Sequence, residues 1–422
     1  MKHLRAVLPR LLTLLILSLT LIFNLASCDM PVPPEYTASH LDKYFVPEFD
    51  KSKLQAVERI YRDYYVESLP DPEELAEQTA NLYFESFHEK IDTGNKTAVT
   101  DALLHCYVYA IGDRYSVYRT AEEYEDYDTD MSGSFYGIGV VVTYDRINNI
   151  ITVTEVYAGG GAADAGIKAG DLIVGVDGES LEEIGYDAVV NKIRGEENTT
   201  VSVTIIRDGE EITLTATRKK VVEKSVSYSL DENKIGYIEI SSFKDNTYSQ
   251  FKEAIDYMEA NGAVGIIYDL RSNPGGYLSA VVNILSYIAP DETTIVSFSN
   301  DYAKPQKDRN SHSLSIPSVV ICNESTASAG ELFTAAMRDF DEEFGYFEVT
   351  TVGVNTFGKG IMQSTFSLSD GSTVTLTVAY YNPPSGENYD GVGIAPDVTV
   401  EAAESGDTQL DAAYVEIYKI IK

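Results

Sequence analysis

Between residues 235 and 380 the chain switches period repeatedly. Short β-branched runs at 235–241, 264–269, 318–322 and 373–380 alternate with segments of helical spacing at 248–261, 276–288 and 329–339. This alternation of strands and helices argues for an α/β core. Upstream, 134–220 has a different character. Ile138–Thr143, Ile150–Val156, Leu172–Val176 and Val201–Arg207 are strand-like runs bounded by Gly, Asp and Asn, with one helix at 186–194. They predict a small β-rich domain. Earlier still, Leu54, Val57, Ile60 and Tyr61 repeat at helical spacing, and 98–111 is a further helical run. Asp71-Pro72-Glu73-Glu74 reads as an N-cap, a proline at N1 and acids in the first turn. The acidic, Tyr-rich stretch 121–132 reads as a connector. No internal repeat is present.

The first residues are an address. Lys2, Arg5 and Arg10 precede the apolar run Leu11–Phe23, and Leu25-Ala26-Ser27-Cys28 follows. A basic start, an apolar stretch and small residues describe a secretory signal. Small residues ending in Cys resemble a bacterial lipobox, which implies lipidation at Cys28 and an extracytoplasmic protein anchored to the bacterial cell membrane. The expected division is a signal at 1–27, a tether at 28–48, a helical segment at 49–125, the β-rich domain at 130–220 and the α/β core at 221–422. The 422 residues carry 32 basic and 66 acidic groups, a net charge of −34. Such a chain repels phosphate backbones, so nucleic acid is excluded as a partner. Three Cys make no disulfide scaffold, and five scattered His without an HExxH motif leave no zinc site. Neither a metal nor any other cofactor is expected.

Chemistry concentrates at four places in the α/β region. In Asn323-Glu324-Ser325-Thr326-Ala327-Ser328-Ala329-Gly330-Glu331 a strand ends, small residues follow and a helix begins. Ser328 then sits at a helix N-terminus with room for a substrate beside it, although helix capping explains the same hydroxyls. Asn355-Thr356-Phe357-Gly358-Lys359-Gly360-Ile361-Met362-Gln363 tips the balance. A lysine between two glycines in an apolar context is a placed lysine. Buried, it can lose its proton and act as general base for a hydroxyl. From a reference near 10.4, a base working at pH 7 needs a shift of roughly 3 units, about 4–5 kcal/mol. In an extended stretch Gln363 lies on the same side as Lys359, where its amide can orient the lysine or the substrate. Asp269-Leu270-Arg271-Ser272-Asn273-Pro274-Gly275-Gly276 offers unhindered backbone N–H groups which, with that of Ala329, would form an oxyanion hole. The fourth segment is Gly391-Val392-Gly393-Ile394-Ala395-Pro396-Asp397-Val398. Gly353 to Lys359 also fits a phosphate loop, but Gly360 replaces the magnesium-binding hydroxyl. His312, in a polar loop, is the only candidate for a Ser-His arrangement with Ser328.

In the β-rich region, Tyr136-Gly137-Ile138-Gly139-Val140, the block Ala165–Ile173 followed by Val176-Asp177-Gly178, and Ile193-Arg194-Gly195 together resemble a PDZ domain of the bacterial type. That resemblance implies a carboxylate-binding loop at Tyr136, Gly137, Ile138 and Gly139, with Arg194 as a further contact, and a sheet edge that accepts a peptide strand. With this domain upstream, STASAGE, NTFGKG-IMQ, DLRSNPGG and GVGIAPDV resemble the C-terminal processing peptidases, PDZ-containing serine proteases with a Ser-Lys pair. Residues 112–118 and 235–243 fit the same family. The resemblance implies a core like that of the crotonase and ClpP superfamily, Ser328 as nucleophile, Lys359 as base, Gln363 as its support, and Gly275, Gly276 and Ala329 as oxyanion donors. The implied partners are proteins or peptides with accessible C-terminal tails. Exposure of the apolar face at 54–61 would mark a homodimer. Two other classes stand beside this one: a PDZ-bearing scaffold with an inactive core, and an acyl-CoA enzyme on a related fold. The export signal and the absence of a basic patch argue against the last.

Overall fold

The computed structural model describes residues 36–421 apart from 45, 291, 308–311 and 343–344. The signal, Cys28 and the first part of the tether lie outside the described residues. The chain forms two compact units. One joins everything up to Asp128 with Ser225–Lys422, and the other is Thr129–Lys224.

In the first unit, helices α1 (Lys51–Tyr64), α2 (Pro72–Ser86) and α3 (Lys96–Ala110) begin where Asp50, Asp71 and Asn95 accept hydrogen bonds from first-turn N–H groups. Leu54, Val57, Ile60 and Tyr61 are buried in the chain's own core, so they offer no dimer face. Two expectations need correction. The tether is folded from Tyr36 onward: Thr37–His40 is a helical turn, Leu41–Tyr44 continues it as a 3₁₀ turn, and Tyr36, Ala38 and Leu41 are buried. The supposed connector is helix α4 (Ala121–Met131). Thr120 and Glu123 exchange backbone-to-side-chain bonds in a capping box, and Tyr127 and Met131 bury beneath the acidic face. Between α3 and α4, strand β1 (Val117–Arg119) joins the edge of a core sheet.

The second unit contains the antiparallel sheet β3 (Val140–Asp145), β4 (Ile150–Val156), β5 (Leu172–Val176), β7 (Thr200–Arg207) and β8 (Glu210–Thr217), in the order β3-β4-β5-β7-β8. The short β6 (Glu179–Ser180) pairs with β5, and β2 (Ser134–Gly137) pairs with β9 (Lys219–Val222). Inward residues of alternate strand positions, among them Ile151, Val153, Ile173, Val203 and Ile205, make its core. Helix α5 (Gly161–Ala165) adds Ala162, and helix α6 (Leu181–Ile193) adds Val189 and Ile193. Asp171 and Arg207 form a bidentate pair, which holds the Asp171 carboxyl below its ordinary pKa.

The remainder of the first unit is the α/β core. One sheet runs β10 (Val226–Leu230), β11 (Ile235–Ile240), β12 (Gly265–Asp269), β15 (Ser318–Cys322), β16 (Val349–Gly353), β19 (Val398–Thr399). Only β10 is antiparallel to its neighbour. Both faces are covered. Ile267 packs with Ala413 and Ile417 of α10 (Thr408–Ile420). The next residue, Tyr268, points the other way, against Phe251 of α7 (Thr247–Ala260) and Phe333 of α9 (Ala329–Glu342). That is why these strands read as unbroken apolar runs. Helix α8 (Leu278–Ile288) follows the Gly275-Gly276 turn. A second sheet holds β17 (Ile361–Ser367), β18 (Thr373–Asn382), β1, β13 (Thr294–Phe298) and β14 (Gln306–Lys307). The loops after β12, β15 and β16 leave the carboxyl ends of parallel strands, where open α/β sheets place their sites.

Candidate active site

Ser328 lies between β15 and α9. Its φ is +53°, left-handed for a non-glycine residue, and it is 7 % exposed. Such a backbone is retained only where its surroundings over-determine it. Here they do. Ala327 N–H donates to the Asn273 carbonyl at 2.9 Å, Tyr389 Oη reaches the Ser328 carbonyl at 3.4 Å, and Ser328 N–H donates to Glu331 Oε2. Thr326 ties the loop to its neighbours: its Oγ1 accepts from Asn323 N–H and donates to the Leu270 carbonyl.

Glu331, one turn into α9, ties the two halves of the site together. It is fully buried and accepts four hydrogen bonds. Oε2 takes Ser328 N–H at 2.9 Å and Lys359 N–H at 2.8 Å, while Oε1 takes Gly358 N–H and Thr356 Oγ1, each at 2.6 Å. One carboxylate oxygen therefore fixes the backbones of Ser328 and Lys359 within its own reach. Burial raises the Glu331 pKa, and its four donors oppose that rise. The sequence reading missed this residue, although Ser328-x-x-Glu331 is the spacing of a capping box. The fourth segment braces the lysine loop from outside, with Ile394 N–H on Thr356 Oγ1.

Lys359 is 6 % exposed, and its Nζ donates to Gln363 Oε1 at 2.9 Å. Gln363 Nε2 donates to the Tyr115 carbonyl, and the Tyr115 ring centroid lies 4.5 Å from Nζ. Burial pulls the lysine from its ordinary value near 10.5 down to about 7. Asp113, Glu331 and Asp390 favour the ammonium, and Arg114 opposes it. A lysine so placed is half neutral near pH 7.

The glycine turn requires its glycines. Gly275 has φ +100°, and a Cβ there would sit 2.8 Å from both Ser328 Cβ and the Ala327 oxygen. A Cβ on Gly276 would strike the Phe243 carbonyl. One expectation is corrected: Gly275 N–H is not a free oxyanion donor, because it donates to Asn273 Oδ1 at 2.8 Å. Asn273, fully buried, also donates to the Ile240 carbonyl. Gly275 serves by allowing close approach, which leaves the N–H groups of Gly276 and Ala329 as the candidate donors at this corner.

In the second unit, β3 is a sheet edge; of the predicted carboxylate-binding residues, Tyr136 and Gly137 end strand β2, and only Ile138 and Gly139 form the link to β3. Gly139 has φ +80°, and a Cβ there would press on Gly160 at 3.3 Å. Tyr136 is exposed, and its carbonyl accepts from Gly195 N–H. Gly137 is paired with Lys219. The Arg194 guanidinium lies 5.6 Å from the Phe135 ring, beside this loop. The Ile138 side chain is fully buried in the domain core, so at this position only the backbone faces outward, as a loop acting through its N–H groups requires.

His312 is engaged elsewhere. It stacks on Tyr287 and its ring nitrogens face the Tyr287 carbonyl and Glu259, so it is no partner for Ser328. Cys106 and Cys322 are both buried and free. Among the described residues no group of His, Cys, Asp and Glu could hold a metal, and no helix is long and apolar enough to cross a membrane.

Residues 234–400 match the model of peptidase family S41, and residues 127–206 match that of the PDZ domain. The chain is 33 % identical over 335 residues to a probable CtpA-like serine protease of Staphylococcus haemolyticus, covering 78 % of this chain and 64 % of that protein. It is 32 % identical over 363 residues to a Staphylococcus aureus protein of the same description, covering 83 % and 66 %. The chain thus spans a little under two thirds of the length of these curated relatives. A solved structure described as a photosystem II D1 C-terminal processing protease is 26 % identical, with 90 % of this chain and 97 % of that one covered and a TM-score of 0.49.

Proposed function

The chain belongs to peptidase family S41, and on that premise we propose that it is a serine endopeptidase that cuts proteins after capturing their C-terminal tails. The observation that carries this is the buried Lys359 ammonium on Gln363, locked by one carboxylate to the backbone of Ser328. Neutral Lys359 takes the proton of Ser328 Oγ as the oxygen attacks a peptide carbonyl. The N–H groups of Gly276 and Ala329 receive the developing oxyanion. When the tetrahedral intermediate collapses, the Lys359 ammonium returns the proton to the leaving amine. A water then attacks the acyl-Ser328 ester, with Lys359 again as base. Gln363 Oε1 holds Nζ throughout.

The PDZ domain supplies recognition. A tail adds a strand to the β3 edge, and its carboxylate meets the Tyr136–Gly139 loop and Arg194. The leader and Cys28 support export and a lipid anchor, which would put the substrates outside the cytoplasm.

The test compares the chain without its leader, as wild type and as Ser328→Ala, on an unfolded protein with an apolar C-terminus from pH 6 to 9. Cleavage by the wild type alone, increasing through pH 7, supports the proposal. Tail binding without turnover at any pH overturns it in favour of a scaffold with an inactive core.

A further inference from the structure

The matched peptidase segment does not enclose the base on its own. Two contacts around Lys359 come from the loop 113–116 between α3 and β1, outside both matched segments. The Tyr115 ring covers Nζ. Its carbonyl takes the Gln363 Nε2 proton, and since an amide has one donor end and one acceptor end, that bond decides which end faces the lysine. The loop is itself anchored. Asp113 accepts from Tyr115 N–H at 3.0 Å, and from Ser116 Oγ and Thr377 Oγ1 at 2.7 Å each. Thr377 is the cross-strand partner of Gln363. The anchor of the loop and the residue it aims are thus neighbours in one sheet.

We propose that Tyr115 is a positioning residue for the reaction assigned above: its ring caps the Lys359 ammonium and its carbonyl aims the Gln363 amide, so that the helical segment completes the active site. The inference rests on the Ser-Lys reading. The ring acts on Lys359 in two opposed ways. Its face attracts an ammonium. Its bulk keeps water out, which disfavours the ammonium. The other groups facing Lys359 are Asp113, Glu331 and Asp390, which favour the charge, and Arg114, which opposes it; the Tyr381 hydroxyl bonds to the Lys359 carbonyl.

The two effects can be separated by substitution. Cleavage is measured from pH 5.5 to 9 for Tyr115→Phe, Tyr115→Leu, Tyr115→Ala and Lys359→Ala. The Lys359 Cε resonance is titrated in the same Tyr115 variants on an inactive Ser328→Ala background. Tyr115→Phe keeps ring and carbonyl and should follow the wild-type profile. Tyr115→Leu keeps the bulk without the ring face, so the midpoint should fall by about one unit. Tyr115→Ala admits water, so the midpoint should rise by about one unit. A merely structural residue would lower the rate and leave both midpoints in place. Midpoints that stay put, or move in the same direction, in folded variants overturn the role of Tyr115. Cleavage retained by Lys359→Ala overturns instead the Ser-Lys reading beneath it. If Tyr115→Ala does not fold, the fall expected of Tyr115→Leu against an unmoved Tyr115→Phe carries the test.

Discussion

A base kept neutral by burial should weaken the fold that buries it, and Lys359→Met measures by how much. Lys359 titrates near 10.5 in an unfolded chain and at about 7 in the folded one. The folded state therefore binds fewer protons between those limits, and stability rises with pH across that window. The shift corresponds to about 5 kcal/mol, present in full as a penalty at pH 7 and below and gone by pH 10.5. Methionine fills a similar volume and has no proton to lose. Its own cost is the Gln363 Oε1 acceptor left without Lys359 Nζ, about 1–3 kcal/mol. Lys359→Met should accordingly be more stable than wild type by roughly 2–4 kcal/mol at pH 7. The difference should shrink by about 1.4 kcal/mol per pH unit above that and change sign before pH 10.5. Urea unfolding of both proteins at intervals from pH 6 to 10 reads it directly, and taking the difference cancels every other titrating group. The cleavage midpoint of the wild type should fall at the same pH as the break in the stability difference. A difference that does not vary with pH would refute the reasoning, because it would mean that folding leaves the proton affinity of Lys359 unchanged.

Other outcomes follow from the same contacts. Gly275→Ala places a Cβ at 2.8 Å from Ser328 Cβ on a left-handed backbone, so peptidase activity should fall at least about 100-fold, with a lower melting temperature. Glu331→Gln puts an amide where four donors converge; it should cost about 3–5 kcal/mol in denaturant unfolding. Since the Glu331 charge favours the Lys359 ammonium, any residual activity of that variant should show its midpoint at lower pH. Arg194→Ala, made in inactive Ser328→Ala protein, should weaken binding of a free-carboxylate tail in fluorescence anisotropy and leave a C-terminally amidated tail unaffected.

The sequence revealed the fold wherever one physical signal dominated. Period alternation marked the α/β core, and Asp71-Pro72 marked the start of α2. It failed where two signals conflicted. The stretch 121–132 looked like a connector because its acids outnumber its apolar residues, yet a helix needs to bury only one stripe, and Tyr127 with Met131 provide it. Tyr36–Tyr44 was hidden by the prolines just before it. Burial of Tyr36, Ala38 and Leu41 in a helical segment more than ten residues away in sequence leaves no local trace.

The site divides along the same line. Ser328, Lys359, Gln363 and the two glycines were legible because each breaks a local rule: a hydroxyl among small residues, a lysine between glycines, a glycine pair at a strand end. Asn273, Glu331 and Tyr115 break none. Glu331 passes as an ordinary first-turn acid of α9, and only the structure shows it accepting N–H groups from 27 and 28 residues further on. Tyr115 is 248 residues from the glutamine it orients. The proposed reacting groups therefore stand out in the sequence, because chemistry restricts their residue types. The groups that hold them cannot, because what restricts those is proximity created by folding. A variant could keep every sequence motif of this core and, on the proposed reading, still lose the alignment of Lys359 through a change in the loop 113–116.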